Sequence, residues 1–288
     1  MKRWLLGVGL LLANLANAHA GIVISGYMAN PGGTDGNNEY VQLVATRDID
    51  FAATNFSVVF ANNNSATGLG WTASGALTYG FNLTGGSVTT GQTFYVGGTG
   101  QVLNGTTNTT SLSSLAWIRT IATATINGDG LGNFNSSGVM GNGGGNADGI
   151  AVFTGLTSGI TDTTTPIDAV FYGTALGTAV VGGGTDGYVL PSNDLYAGGF
   201  LGSAGNTALL ADPGNGSFNK LTGTFDTVLG TWTTARTLTS VNGPTNLGDI
   251  SSGITISAVP EPSSIALLSL VGIGGFALRR LRKGRTGS

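Results

Sequence analysis

The chain has 288 residues, of which 51 are glycine; 9% of its residues are charged and 41% are hydrophobic. This apolar content is sufficient to bury a core and excludes the charge-driven disorder of strongly hydrophilic chains. The chain has no cysteine, which excludes disulfide bridges, thiolate catalysis and thiolate metal sites.

The N-terminus has the three parts of a secretory signal peptide. A basic start, Met1–Arg3, precedes the apolar run Trp4–Leu15, and the small residues Ala18 and Ala20 flank His19. This layout predicts a signal peptide at residues 1–20, export through the Sec translocon and cleavage after Ala20. Cleavage would remove the single histidine of the chain, His19. The mature protein could then build neither a Ser-His-Asp triad nor a histidine-ligated metal site.

The region from residue 21 to 258 is predicted to be an all-β ectodomain. Val41, Leu43 and Ala45 alternate with other residues, as do the apolar residues of Ile167–Phe171, a pattern typical of half-buried strands. Glycine-rich stretches at 98–110 and 128–146 predict long loop insertions, and a β-sandwich is the simplest architecture. The predicted strands are Ile22–Ser25, Glu39–Ala45, Phe56–Ala61, Tyr79–Leu83, Thr93–Gly97, Ile150–Thr154, Ile167–Tyr172, Tyr188–Leu190 and Ile254–Ser257.

Several segments of this region resemble the lamin-tail domain family. They are Ile22–Ser25 with Asn30–Gly32 and Glu39–Leu43, Ala147–Phe153 with Ile167–Gly173, and the closing Gly243–Asn246. The resemblance implies an immunoglobulin-like β-sandwich, a fold that specifies no chemistry. Gly26 departs from the family, in which an acidic residue is usual, and the Ser-Gly-Trp turn is missing after Asp50.

The predicted mature region is acidic. It contains thirteen acidic side chains against the four bases Arg47, Arg119, Lys220 and Arg236, which gives a net charge of −9. Non-specific nucleic-acid binding is therefore excluded, whereas divalent cations or cationic polymers would be attracted.

Three Gly-Asp-Gly-like segments, around Asp35, Asp148 and Asp186, each precede a predicted strand. Carboxylates and loop carbonyls are the oxygen ligands that calcium prefers, so these residues are candidate calcium ligands. The alternative is ordinary turn chemistry in a glycine-rich chain, because calcium-binding nonapeptide repeats occur in tandem and these segments are dispersed.

Catalysis and sugar binding each have candidate residues. The carboxylate pairs Asp48–Asp50 and Asp129–Asp148 are the options for a glycosidase, but neither lies in a recognisable motif. Solvated loop acids are the simpler interpretation, and we expect no enzyme and no obligatory cofactor. A sugar-stacking platform would use aromatic side chains, although burial in a core is the commoner role of tryptophan. The candidates are Trp71, Trp117 and Trp232.

The C-terminal region, 259–288, has three parts. Pro260-Glu261-Pro262 resists helix formation, and the apolar run Ile265–Leu278 follows it. As a helix, this run is shorter than the hydrocarbon core of a bilayer. A basic cluster that would remain on the cytoplasmic side comes last. It consists of Arg279, Arg280, Arg282, Lys283 and Arg285.

This layout resembles the PEP-CTERM sorting tag; the alternative is a plain tail anchor. The resemblance implies a Gram-negative host, recognition by exosortase, an inner-membrane intermediate and delivery to the cell surface or the extracellular space. We therefore expect a structural or adhesive protein of the envelope, exopolysaccharide or biofilm. The alternatives are a calcium- or carbohydrate-binding module and, third, a secreted carboxylate hydrolase.

Overall fold

The computed structural model describes residues 21–31, 38–61, 78–97, 140–141, 148–161, 164–172, 216–227, 229–242 and 251–257, and the backbone of four short strands. Almost all of this is β-structure, and the one short 3₁₀ helix is Thr157–Gly159. The strands are β1 Ile22–Met28, β2 Tyr40–Ala45, β3 Ile49–Asp50, β4 Phe56–Ala61, β5 Thr78–Leu83, β6 Ser87–Val88, β7 Thr93–Gly97, β8 Val102–Leu103, β9 Thr106–Thr107, β10 Ile118–Thr120, β11 Asp148–Thr154, β12 Asp168–Tyr172, β13 Leu209–Leu210, β14 Ser217–Asp226, β15 Thr231–Asn242 and β16 Gly253–Ser257.

These strands form two main sheets. The first has the order β10-β7-β2-β1-β14-β15, with β16 paired to β14, and the second has the order β13-β12-β11-β4-β5. The pairings β1–β2, β2–β7, β4–β11, β11–β12 and β14–β15 are antiparallel. The pairings β7–β10 and β12–β13 are parallel. For the described residues, the predicted β-fold is thus confirmed: they are mostly strands in antiparallel sheets.

The two sheets share one hydrophobic cluster. Ile24 and Leu43 of the first sheet and Phe60, Val152 and Val170 of the second are among its members. Alternate residues of β1 and β2 point the other way, and Val23 and Val44 pack there with Phe225 and Trp232 in a second cluster. Both faces of β1 and β2 are therefore buried, and the prediction of half-buried strands was wrong for β2 and β12.

Most predicted strands are present, with shifted ends. β1 continues to Met28 and β11 begins at Asp148, each beyond its predicted limit. The longest pair, β14 and β15, was not predicted. The predicted strand Tyr188–Leu190 lies outside the described residues.

The connections between strands differ at the two ends of the sheets. Tyr27 near the end of β1 stacks on Tyr172 at the end of β12, with ring centroids 4.8 Å apart. β1 of the first sheet and β12 of the second therefore end at the same end of the pair of sheets. The connections 29–39, 62–77, 98–147 and 173–216 each begin and end at this end. The connection 98–147 also contains β8, β9 and β10, and 173–216 contains β13. We call this end of the sheets the long-loop end. The opposite end has the connections 46–55, 84–92, 155–167 and 227–230, none of which is as long as 62–77, 98–147 or 173–216.

Candidate functional site

A buried ion pair lies beside the part of β1 that is not paired with β14. β1 pairs with β14 only at Gly26 and Tyr27, so the backbone of Ile24 has no partner in β14. Asp168 accepts the Ile24 N–H at 2.6 Å, and Nη1 of Arg236 donates to the Ile24 carbonyl at 3.5 Å. These two side chains replace the missing strand and satisfy backbone groups that would otherwise be buried without partners.

The two terminal nitrogens of Arg236, Nη1 and Nη2, donate to Oδ2 and Oδ1 of Asp168 at 2.9 Å and 2.7 Å. Arg236 also lies over the ring of Trp232, 4.3 Å from its centroid. Burial raises the pKa of Asp168, whereas the guanidinium and the Ile24 N–H act in the opposite direction. Burial also lowers the pKa of Arg236. The pair therefore carries a desolvation penalty and is a structural element of the core.

A second polar group lies on the face of β2 opposite to Val41 and Leu43, which belong to the core shared by the two sheets. Ser25, at a bulge in β1, donates to the side-chain oxygen of Gln42 at 2.8 Å, and the Gln42 amide donates to the hydroxyl of Tyr95 at 3.0 Å. Tyr40 packs beside Tyr95, and burial raises the pKa of both phenols. Within the described part of the chain, the Tyr40 hydroxyl has no hydrogen-bond partner.

Two buried carboxylates lie at the long-loop end. Glu39 accepts the N–H of Met140 at 3.0 Å, and the carboxylate of Asp148 lies against the next residue, Gly141. Both acids are buried. Asp148 was predicted to lie in a turn before a strand, but it is the first residue of β11 and pairs with Tyr172.

Of the three predicted calcium ligands, only Asp148 is described, since Asp35 and Asp186 lie outside the described residues. Asp35 belongs to the connection 29–39 and Asp186 to 173–216, and both connections start at the long-loop end, where Asp148 lies. No group of three or more potential metal-binding side chains occurs within the described ranges.

Asp48 and Asp50, one of the two carboxylate pairs considered for a glycosidase, stabilise turns. Asp48 accepts the N–H and the hydroxyl of Thr90 at 2.8 Å and 2.9 Å, which lowers its pKa. Asp50 accepts the N–H of Ala52 at 2.9 Å. Asp129, the other proposed acid, lies outside the described residues.

Trp232, proposed as part of a sugar platform, is only 4% exposed and packs edge-on against Phe225. It cannot stack on a sugar at the surface, and it has the core role that is commoner for tryptophan. Trp71 and Trp117 lie outside the described residues. The role of Asp168 and Arg236 was missed, although an acid inside the apolar run Ile167–Tyr172 was a signal that it could be buried.

The last described strand, β16, ends at Ser257, and the next residues match a known family. Residues 258–283 match the PEP-CTERM protein-sorting motif. The chain carries this sorting motif. The PEP-CTERM motif includes Pro260, Glu261 and Pro262 and most of the basic cluster, and it implies exosortase-dependent export toward the cell surface through a membrane intermediate.

The motif covers only the C-terminal part of the chain, so it identifies the route of export and not the activity of the ectodomain. No curated protein and no solved structure matches the chain. The resemblance to lamin-tail domains was not found by these comparisons. Within the ranges that the structure describes, no helix is both long and apolar enough to span a bilayer.

Proposed function

We propose that this protein is a structural or adhesive component of the cell surface, which exosortase processes at its C-terminal motif. The signal peptide directs it through the Sec translocon, and the run Ile265–Leu278 holds it transiently in the inner membrane. Exosortase then separates the ectodomain from the helix, and the ectodomain joins the envelope, exopolysaccharide or biofilm. The observation that carries this proposal is the PEP-CTERM match directly after the last strand of a folded domain.

The roles of the described carboxylates favour a non-enzymatic ectodomain. Asp168 is bound to Arg236, Glu39 to the backbone of Met140, and the exposed acids Asp48 and Asp50 to turn backbone. Each of these contacts stabilises the fold. Glu39 and Asp148 lie at the same end of the sheets, but both are buried and do not form the pair facing an open cleft that glycoside hydrolysis requires. We propose an immunoglobulin-like sandwich of the lamin-tail type for this ectodomain, supported by two sheets that share one core.

The intact mass of the protein recovered outside the cell tests the sorting proposal. We expect a chain that starts at Gly21 and ends near Pro260–Ser264, and we expect this product to disappear when the exosortase gene is deleted. A matched control replaces Pro260, Glu261 and Pro262 by alanine and should remain uncut. Release of the same trimmed product from cells without exosortase would contradict the proposal.

A calcium-binding module is the second candidate, favoured by the position of Asp148. The connections that contain Asp35 and Asp186 both begin at the end of the sheets where Asp148 lies. Calcium should then raise the melting temperature, and Asp148→Asn should abolish the increase while Asp48→Asn should preserve it. Equal melting temperatures with calcium and with a chelator would contradict calcium binding.

A further inference from the structure

The folded ectodomain and the cleavage region are very close along the chain. β16 ends at Ser257, the sorting motif begins at residue 258, and Pro260 is the third residue after the strand. Three residues of extended chain span at most about 10 Å. Ala258 and Val259 are therefore the only residues between the sheet and the Pro-Glu-Pro segment.

β16 is also attached to the sheet by few contacts. It has five residues, none of them fully buried, whereas every residue of β1 is buried. Its pairing within the described residues is with β14, and Ile254 and Ile256 pack only partly against the hydrophobic clusters. Short terminal elements with little burial open at a lower free energy than the core strands, so β16 can detach while the sheets remain folded.

We propose that β16 must detach from β14 before the sorting protease can cut, so that docking of this strand regulates processing. The proposal rests on the exosortase-dependent function above. A protease must bind extended chain before the bond that it breaks. If the product ends near Pro260–Ser264, the docked strand leaves only residues 258–260 to 258–264 for this purpose. Cleavage breaks one peptide bond: the acyl carbon passes to water or to another nucleophile, and the nitrogen leaves with the membrane helix.

Gly253 provides a way to weaken docking. A Cβ at this position would overlap the carbonyl oxygen of Leu221 and would lie 2.8 Å from the Thr222 methyl group. Gly253→Ala should therefore increase the detached fraction of β16. Thr255→Ala is the matched control, because Thr255 is the exposed residue of the strand. Ile256→Ser is a second weakening variant, because it removes apolar contact with the smaller cluster.

The experiment measures tag removal by pulse-chase in cells that contain exosortase. Each variant is made in the natural chain and in a chain with a twelve-residue Gly-Ser spacer between Ala258 and Val259. We expect Gly253→Ala and Ile256→Ser to accelerate cleavage by about tenfold in the natural chain, because cleavage follows the population of the open state. Thr255→Ala should leave the rate unchanged. With the spacer, all chains should be cut at one fast rate.

Equal rates for all variants, with and without the spacer, would overturn the role of β16 while leaving exosortase processing intact. Failure of the proposed function gives a different result: the natural chain is then not cut at all, or is cut equally in cells without exosortase. Hydrogen exchange of β1 and β2 in each purified variant verifies that the two sheets remain folded. Loss of protection in those strands would exclude that variant, and Ile256→Ser and the spacer chains would then decide the outcome.

Discussion

The carboxylate of Asp168 and the guanidinium of Arg236 meet in the core although they are 68 residues apart in the chain. The pair joins β12 to β15 and, through the backbone of Ile24, also to β1. Its position marks the place where β14 leaves β1 and pairs with β16. A hydrophobic pair of similar size could fill the volume but could not bind the Ile24 backbone.

Removal of one partner of this pair should strongly destabilise the fold. Arg236→Met leaves the Asp168 carboxylate buried without its cation, and we expect a loss of about 3–5 kcal/mol in the free energy of unfolding. Urea denaturation measures this loss. Lys220→Met, which removes a half-exposed cation from the neighbouring strand β14, should change the stability by less than about 1 kcal/mol.

The double variant Asp168→Leu with Arg236→Met should recover part of the lost stability, because no charge then remains buried. Recovery should be incomplete, since the Ile24 N–H loses its acceptor. Additive losses in the double variant would show that the two side chains contribute independently, contrary to the geometry of the pair.

Two buried tyrosines should respond differently to removal of their hydroxyl groups. Tyr40→Phe removes a hydroxyl that has no partner within the described chain, so stability should be unchanged or should rise slightly. Tyr95→Phe leaves the Gln42 amide without the acceptor that it has at 3.0 Å, and should decrease stability by about 1–3 kcal/mol. Urea denaturation of the two variants beside the unaltered chain measures both changes in stability. Equal losses would contradict the assigned hydrogen bonds.

Asp48 should make the stability depend on acid pH. Hydrogen bonds from the backbone and the hydroxyl of Thr90 lower the pKa of Asp48 below its ordinary value of 3.8. Its contribution is therefore fully present above that value and is lost as the pH falls through the lower folded-state pKa. Asp48→Asn should reduce the loss of unfolding free energy at acid pH by less than about 1 kcal/mol, because the site is exposed.

The midpoint of urea unfolding between pH 2 and pH 6 gives this comparison. Thr90→Val removes the hydroxyl but keeps the backbone N–H, so it should reduce the pH dependence only partly. A steeper acid loss in Asp48→Asn than in the unaltered chain would have the wrong sign and would contradict the assignment.

Gly26 should tolerate no side chain. A Cβ there would lie 2.9 Å from the carbonyl oxygen of Asn219 and would overlap the ring of Phe218. Gly26→Ala should therefore destabilise the protein by about 1–3 kcal/mol, as measured by the melting temperature and urea unfolding. Gly85→Ala is the control, because a Cβ at Gly85 contacts nothing. A neutral Gly26→Ala would show that β14 can move away from β1.

The sequence predicts strands best where apolar residues dominate. β2, β4 and β7 were found because their apolar content alone indicates burial. The hairpin β14–β15 was missed, since its threonines and Gly223 are typical of turns as well as of exposed strands. Its stability depends on cross-strand contacts such as Leu221 with Leu238, and local composition does not reveal them.

The functional features also differ in how far the sequence predicts them. The sorting motif could be predicted because Pro260–Pro262, the apolar run and the basic cluster are contiguous in the chain. The ion pair could not, because only the fold brings Asp168 to Arg236. The predicted immunoglobulin-like sandwich and the signal peptide stay predictions, and the predicted C-terminal helix lies outside the described residues.

The concentration of long connections at one end of the sheets makes this protein suitable as a display scaffold. Doubling the length of a flexible connection costs only about 0.6 kcal/mol in closure entropy. Foreign peptides grafted into the connection 62–77 would therefore leave β4 and β5 in register. Because the chain carries its own export address, such grafts would be delivered outward with the scaffold.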